Sequence, residues 1–228
     1  PIQRNYLLDE FRLDAQKNGF GSSVHIQVGA QDGLAEAKWV QSISDANPDW
    51  PMVQVVFCDL TSHDLESVLD GYLKLPSVRG VRQIIGRAPE EDNSTGTNDL
   101  LNSEAFLRGL RSVGERGLSF DLQLIPELMV ATSKILKDAP KTKVALCHAG
   151  SPHDRTAKGL EVYAKQLGEM SRLSNVTCKL SGLGMFDHGW TTDTIKTIID
   201  ICLKQFGENR CMFGSNFPVD SLYSNYDR

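Results

Sequence analysis

The stretch KVALCHAGSP, residues 143–152, decides how this chain is expected to fold. It begins as a short apolar run, long enough for one buried strand, and it breaks abruptly at His148, Gly150 and Pro152. A buried strand that carries one imidazole to its carboxyl end is typical of parallel α/β proteins, because ligand-binding groups gather at that edge of the sheet. The stretch therefore predicts both a strand and a functional histidine.

Short apolar runs of the same kind recur along the chain and alternate with amphipathic segments. Strands are predicted at residues 23–29, 52–59, 78–85, 118–125, 143–148, 175–180 and 211–217, with helices between them. Continuous apolar strands that alternate with helices predict a parallel sheet within a single domain, residues 1–228. Within this pattern, Thr61 or Ser62 is expected to cap one helix, and another helix is expected at 98–116.

Seven strand–helix units favour a TIM-type (β/α)8 barrel, which usually has about 250 residues. A doubly wound sheet is the alternative, but no Gly-rich GxGxxG or phosphate loop follows any of the strands. Since the count is one strand short of a barrel, we expect the first strand and the last helix to be absent, and the domain to be truncated at both ends.

The composition limits the classes of partner. The chain has 228 residues and a net charge of −5, and no run of Lys or Arg stands out, so nucleic acid is not an expected partner. No apolar stretch reaches the roughly 18–20 residues of a membrane span, so no membrane is expected either. The five cysteines form no CxxC pair and are expected to stay reduced, which favours a cytoplasmic location. The partner is expected to be a small-molecule substrate, and the oligomeric state is left open.

His148 is the leading catalytic candidate. As a functional residue it would ligate a metal, act as a general acid or base, or polarise a carbonyl. The alternative is a histidine of the core, bonded to a backbone carbonyl. Its position at the end of a strand, beside Gly150 and Pro152, favours a function.

Polar residues on other strands are candidates for substrate binding. Arg82 and Gln83 lie near the end of the third strand, and a buried arginine needs either a substrate carboxylate or a structural ion pair. His25 and Gln27 share one face of the first strand, which points either into the pocket or toward a helix. Lys179 is costly to bury unless a carboxylate or a ligand pairs with it.

Four motifs make the sequence similar to a known superfamily. They are RGVRQII at 79–85, HAGSP at 148–152, CKLSGLGM at 178–185 and MFGSNFPVD at 212–220. In this order they resemble the amidohydrolase superfamily, and more narrowly its lactone-hydrolase branch, amidohydrolase family 2, with sugar-lactone and 2-pyrone-4,6-dicarboxylate hydrolases. The resemblance covers nearly the whole chain. It implies that water attacks a lactone or related cyclic ester at the carboxyl ends of the barrel strands.

The resemblance also implies a set of site residues. Such families carry a His-x-His pair on the first strand, a histidine on a later strand and an acid on the last strand. His148 matches the later histidine, whereas no His-x-His occurs in this sequence, which agrees with the expected loss of the first strand. Asn216 stands where family members commonly carry Asp. An amide can orient water but cannot act as a base, so Asp220 is the alternative base from the following loop.

The sequence leaves more than one alternative for the cofactor and for the reaction. A divalent metal, most readily zinc, would be held in part by His148, and metal-independent catalysis is equally open. Besides lactone hydrolysis, a decarboxylase of the same superfamily fits the motifs. A catalytically inactive barrel that binds a small ligand is favoured by Asn216 and by the absent histidine pair.

Overall fold

The computed structural model describes residues 4–227, which contain seven β-strands and eight α-helices. The strands are β1 Ser23–Ile26, β2 Met52–Phe57, β3 Val78–Arg82, β4 Ser119–Leu122, β5 Lys143–Leu146, β6 Val176–Leu180 and β7 Cys211–Phe213. The helices are α1 Leu8–Lys17, α2 Gly33–Ala46, α3 Leu65–Tyr72, α4 Pro89–Asp92, α5 Glu104–Glu115, α6 Pro126–Lys137, α7 Ala157–Ser171 and α8 Thr192–Phe206. Short 3-10 segments lie at Thr97–Asn102, Cys147–Gly150, Glu208–Arg210 and Val219–Leu222.

The strands form one parallel sheet in the order of the sequence, β1 to β7, and each strand pairs with the next. The predicted parallel α/β architecture is therefore confirmed, and the curled sheet with its helices is consistent with a TIM-type barrel. Within residues 4–227, β1 and β7 are the two edges and do not pair with each other. The absence of a first strand and a last helix stays a prediction.

The core lies between the sheet and the helices. Phe106 of α5 packs edge-on against Phe120 of β4, with ring centroids 5.8 Å apart, and both side chains are almost fully buried. On the same side of the sheet, the buried Gln54 amide of β2 donates to the backbone oxygen of Ala37 in α2, 3.0 Å away.

Several strands end earlier than predicted, and two predicted helices begin or break at other residues for a local reason. The helix expected at 98–116 is interrupted at Ser103, whose extended backbone lets Oγ accept from the N–H of Ala105 and cap α5. The helix α3 begins only at Leu65, because the Thr61 hydroxyl donates to Asp59, 2.7 Å away, and does not cap the helix. The last strand ends at Phe213, so the residues after it lie in a loop.

Both edge strands expose apolar side chains. Val24 of β1 is 56% exposed and Phe213 of β7 is 61% exposed, and the Phe213 ring stacks on Phe20 with centroids 5.2 Å apart. Exposed apolar surface of this kind marks a side of the sheet that another element can cover. In the described part of the chain, no helix is long and apolar enough to cross a membrane.

A substitution at Gly109 tests how closely α5 approaches the loop after β2. A Cβ at Gly109 would stand 2.2 Å from the Leu60 carbonyl oxygen, so Gly109→Ala must move backbone. We expect the free energy of unfolding to fall by about 1–3 kcal/mol. Gly71 in α3 is the matched control, because nothing lies within 4 Å of its Cβ position, and Gly71→Ala should be neutral or slightly stabilising. Urea unfolding of both variants measures this, and equal stabilities would contradict the close approach.

Candidate active site

A turn with an unusual backbone presents His148 at the carboxyl end of β5. His148, Ala149 and Ser151 all have φ between 52° and 54°, a left-handed conformation that side chains rarely adopt. Two hydrogen bonds hold the turn. The N–H of Ser151 donates to the His148 oxygen at 2.8 Å, and the Tyr163 hydroxyl of α7 donates to the Ala149 oxygen at 2.6 Å. Strain of this kind persists only where the surroundings enforce it, and it is common at functional sites.

The His148 imidazole is held at one nitrogen. Its Nδ1 lies 3.0 Å from Oγ of Ser181, which also accepts the backbone N–H of His148 at 3.3 Å. Burial lowers the pKa of His148 to about 4, and the positive charges of Arg82 and Lys179 act in the same direction. The imidazole is therefore neutral at pH 7, and its other nitrogen, Nε2, has no hydrogen-bond partner among the described residues.

Arg82 connects three strand ends through hydrogen bonds. Its guanidinium donates to the Gln27 backbone oxygen at 3.2 Å and to Oε1 of Gln123 at 3.1 Å. It forms no ion pair within residues 4–227, and its Nε and the Nε2 of Gln27 are buried donors without a partner there. The charge of Arg82 is thus oriented but not neutralised, as required for attraction of an anion.

Lys179 forms an ion pair with Asp121, which corresponds to the structural alternative considered for this lysine. Asp121 is 2% exposed, and it also accepts from Sγ of Cys147, 3.7 Å away. Burial by itself would lower the pKa of Lys179, but Cys147 and the Asp121 carboxylate beside it outweigh burial and leave this pKa above its ordinary value. Lys179 therefore carries its charge at neutral pH.

Asn216 lies near His148, and Asp220 is hydrogen-bonded to Asn216, although β7 ends before both residues. Nδ2 of Asn216 donates to Oδ1 of Asp220 at 2.7 Å and lies 3.0 Å from Sδ of Met185. Gly182 is the point where these groups meet, since a Cβ there would stand 2.7 Å from Nδ1 of His148 and 3.2 Å from Nδ2 of Asn216. Burial raises the pKa of Asp220, and the hydrogen bond from Asn216 opposes that increase. The sequence motif CKLSGLGM contained the residues that join this group, Ser181, Gly182 and Met185, but strand periodicity did not single them out.

Two candidates for substrate binding lie elsewhere. The Nε2 of His25 is 3.1 Å from Oε1 of Glu36 in α2, so this side chain faces the helices. The Gln83 amide accepts from the N–H of Leu60 at 3.0 Å and donates to Asp59 at 3.2 Å, which ties together the loops after β2 and β3. Neither side chain joins the group around His148.

The described residues do not by themselves fit a metal. A catalytic zinc ion usually takes three protein ligands, and no group of three His, Cys, Asp or Glu side chains in residues 4–227 is arranged to hold a metal. The Asp220 carboxylate already accepts a hydrogen bond from the Asn216 amide.

Comparison with known proteins shows the family of this chain. A model described as amidohydrolase matches residues 8–228, so the chain belongs to the amidohydrolase family. It is 32% identical over 234 residues to the uncharacterized protein y4mH of Sinorhizobium fredii, covering 99% of this chain and 76% of that protein. It is 22% identical over 228 residues to L-fucono-1,5-lactonase of Burkholderia ambifaria, covering 94% of this chain and 75% of the relative.

Solved structures agree with this family. An amidohydrolase of Burkholderia multivorans, solved with bound zinc, superposes with a TM-score of 0.85 at 23% identity, covering 98% of this chain and 78% of that one. A 2-pyrone-4,6-dicarboxylic acid hydrolase of Pseudomonas putida, described as putative, gives a TM-score of 0.72 at 19% identity. The match covers 99% of this chain and 80% of that one. At these identities the structures show the fold. Together with the family model, they define the protein as a hydrolase of the amidohydrolase type.

The pair of Asp121 and Lys179 should be essential for stability. Asp121→Asn leaves a buried ammonium without its counter-charge, so we expect the free energy of unfolding to fall by about 3–5 kcal/mol. Asp200→Asn is the matched control, because the Lys196–Asp200 pair is exposed and should contribute less than about 1 kcal/mol. Denaturant unfolding compares the two variants. Similar losses in both would show that the interior pair is not desolvated.

The neutral state of His148 should make stability depend on pH. Its pKa is about 4 in the folded protein against an ordinary 6.5, so between these values the unfolded chain binds a proton that the folded protein does not. As pH falls from 6.5 to 4, this group should remove up to about 3 kcal/mol from the free energy of unfolding. Urea unfolding at several pH values measures the slope. A His148→Gln variant should lose this part of the slope, and an unchanged slope would contradict the buried neutral imidazole.

Proposed function

We propose that this protein hydrolyses a lactone or a related small cyclic ester through attack by water at the carboxyl ends of the strands. The observation that carries the proposal is the neutral His148 imidazole, held rigidly beside the charges of Arg82 and Lys179. The similarity to an L-fucono-1,5-lactonase supports the substrate class.

The charges around His148 favour a negative group on the substrate. Arg82 and Lys179 bring two positive charges, and Asp121 and Asp220 bring two negative ones, but Lys179 is paired with Asp121 whereas Arg82 has no carboxylate partner among the described residues. The Arg82 guanidinium is therefore the charge that is free to attract a substrate anion. Ester hydrolysis passes through a tetrahedral intermediate with a negative oxygen, and fixed positive charge and hydrogen-bond donors stabilise that oxygen. The neutral His148 imidazole, placed among these groups, polarises the ester carbonyl.

Asn216 and Asp220 act on the attacking water. Because Nδ2 of Asn216 is bound to Asp220, its amide oxygen is the atom left to accept a hydrogen bond from water. The water oxygen bonds to the carbonyl carbon as Asp220 takes a proton from the water. Because the pKa of Asp220 is raised, its carboxylate is a stronger base than an ordinary aspartate. The ring C–O bond then breaks, and the protonated Asp220 gives its proton to the leaving oxygen. No step is assigned to a metal, because the described residues do not fit one.

We also propose that an eighth strand closes the sheet between β7 and β1. The unpaired edges and the exposed apolar side chains of Val24 and Phe213 support this position. The His-x-His pair that the resemblance implies would enter the site on that strand, next to Gln27 and Asn216.

The five cysteines, all free, support a cytoplasmic location.

Hydrolysis assays on a panel of sugar lactones and pyrone dicarboxylates test the proposed function. We expect ring opening, with kcat/KM at least about 100-fold lower in His148→Ala because the polarising group is lost. His153→Ala is the matched control: this imidazole is exposed, pairs with Glu127 and should leave kcat/KM within about twofold.

Other outcomes of the same assays point to the other functions. Full activity in His148→Ala would refute the assigned role. Release of CO2 from carboxylated substrates without ring opening would indicate a decarboxylase. Binding of a lactone without turnover would indicate an inactive ligand-binding barrel.

A further inference from the structure

Ser181 is built into the site around the His148 ring. It directly follows the last residue of β6 and is 4% exposed. Within residues 4–227, its hydroxyl has two hydrogen-bond partners, the backbone N–H of His148 at 3.3 Å and Nδ1 of the same residue at 3.0 Å. The adjacent Gly182 has a φ of 59°, and any Cβ there would stand 2.7 Å from Nδ1. The backbone thus leaves just enough room for the contact between Ser181 and His148.

The hydrogen-bond inventory of this contact decides where the imidazole proton lies. A serine hydroxyl has one proton and two lone pairs, and the backbone N–H of His148 occupies one lone pair. If Nδ1 carried the proton, Oγ would accept twice and its own proton would remain unpaired in a buried place, at a cost in free energy. If the hydroxyl instead donates to Nδ1, every group of the contact is satisfied.

We propose that Ser181 is a positioning residue that holds His148 in the tautomer with its proton on Nε2. In this tautomer Nε2 is a hydrogen-bond donor and has no lone pair in the ring plane to bind a metal or accept a proton from water. His148 then donates through Nε2 to the carbonyl oxygen of the ester, and proton removal falls to Asp220. This inference deepens the proposed function and rests on it for the identity of the acceptor.

The tautomer can be measured without any substrate. Long-range 1H–15N correlation spectra of the full chain at neutral pH report which ring nitrogen is protonated, and His148→Gln identifies the resonances of His148. We expect Nε2 to show the shift of a protonated nitrogen and Nδ1 that of a bare one. A wild-type spectrum with the proton on Nδ1 would overturn the proposal, whether or not any variant folds.

Variants then show whether Ser181 sets the tautomer. Ser181→Ala should shift His148 toward a mixture of both tautomers, and Ser181→Cys, which keeps a weaker donor in nearly the same shape, should be intermediate. Ser133→Ala is the matched control, because Ser133 is also 4% exposed and donates to a backbone oxygen within α6. An unchanged tautomer ratio in folded Ser181→Ala would overturn the assignment.

Kinetics separate this inference from the proposed function. On a lactone that the protein hydrolyses, Ser181→Ala should lower kcat about 10–100-fold with KM within about twofold, since the donor is needed chiefly in the transition state. Ser133→Ala should leave both unchanged. If no lactone is hydrolysed, the proposed function fails, while the spectra still decide the role of Ser181. An increase in KM of the same size, with kcat unchanged, would contradict the positioning of the catalytic imidazole.

Discussion

The buried ion pair between Asp121 and Lys179 is the interaction on which the site depends. It joins β4 to β6 across β5, so it sets the spacing of three neighbouring strand ends. Two charges removed from water are tolerated only when each meets the other in good geometry, and either one alone would disrupt the interior of the sheet. Because Asp121 is paired with Lys179, the Arg82 guanidinium is left without a carboxylate partner and is free to attract an anion. One structural requirement therefore determines both the stability and the electrostatics of this end of the sheet.

The strained turn at His148 is the second constraint, and it is supported from two sides. Tyr163 of α7 holds the backbone at Ala149 from the helix layer, and Ser181 of the loop after β6 holds the ring from the sheet. Neither contact alone orients an imidazole, since one fixes the main chain and the other the side chain. Together they fix the position of the ring, while burial and the charges of Arg82 and Lys179 keep it neutral. Preorganisation of this kind lowers the cost of reorganisation during reaction.

Much of the fold followed from the sequence because apolar periodicity is local. Every predicted strand is present at its expected place, with helices between the strands as predicted. The errors in the helices arose where a hydroxyl side chain makes a local hydrogen bond, with a backbone N–H at Ser103 and with the Asp59 carboxylate at Thr61. The resemblance to the amidohydrolases was also readable from four short motifs, because four motifs in one order are more specific than any one alone.

The sequence by itself determined the parallel α/β class, the family and the prominence of His148 at a strand end, since these depend on composition, periodicity and local breaks in the chain. Only the tertiary structure decided what surrounds that histidine. His25 lies against Glu36, whereas Asn216 lies near the imidazole from a loop beyond β7 and binds Asp220. Ser181 could not be singled out from its neighbours in the sequence, because its role consists of a contact with a residue thirty-three positions earlier in the chain. Such contacts depend on the pairing of β5 with β6, and pairing is a property of the folded sheet.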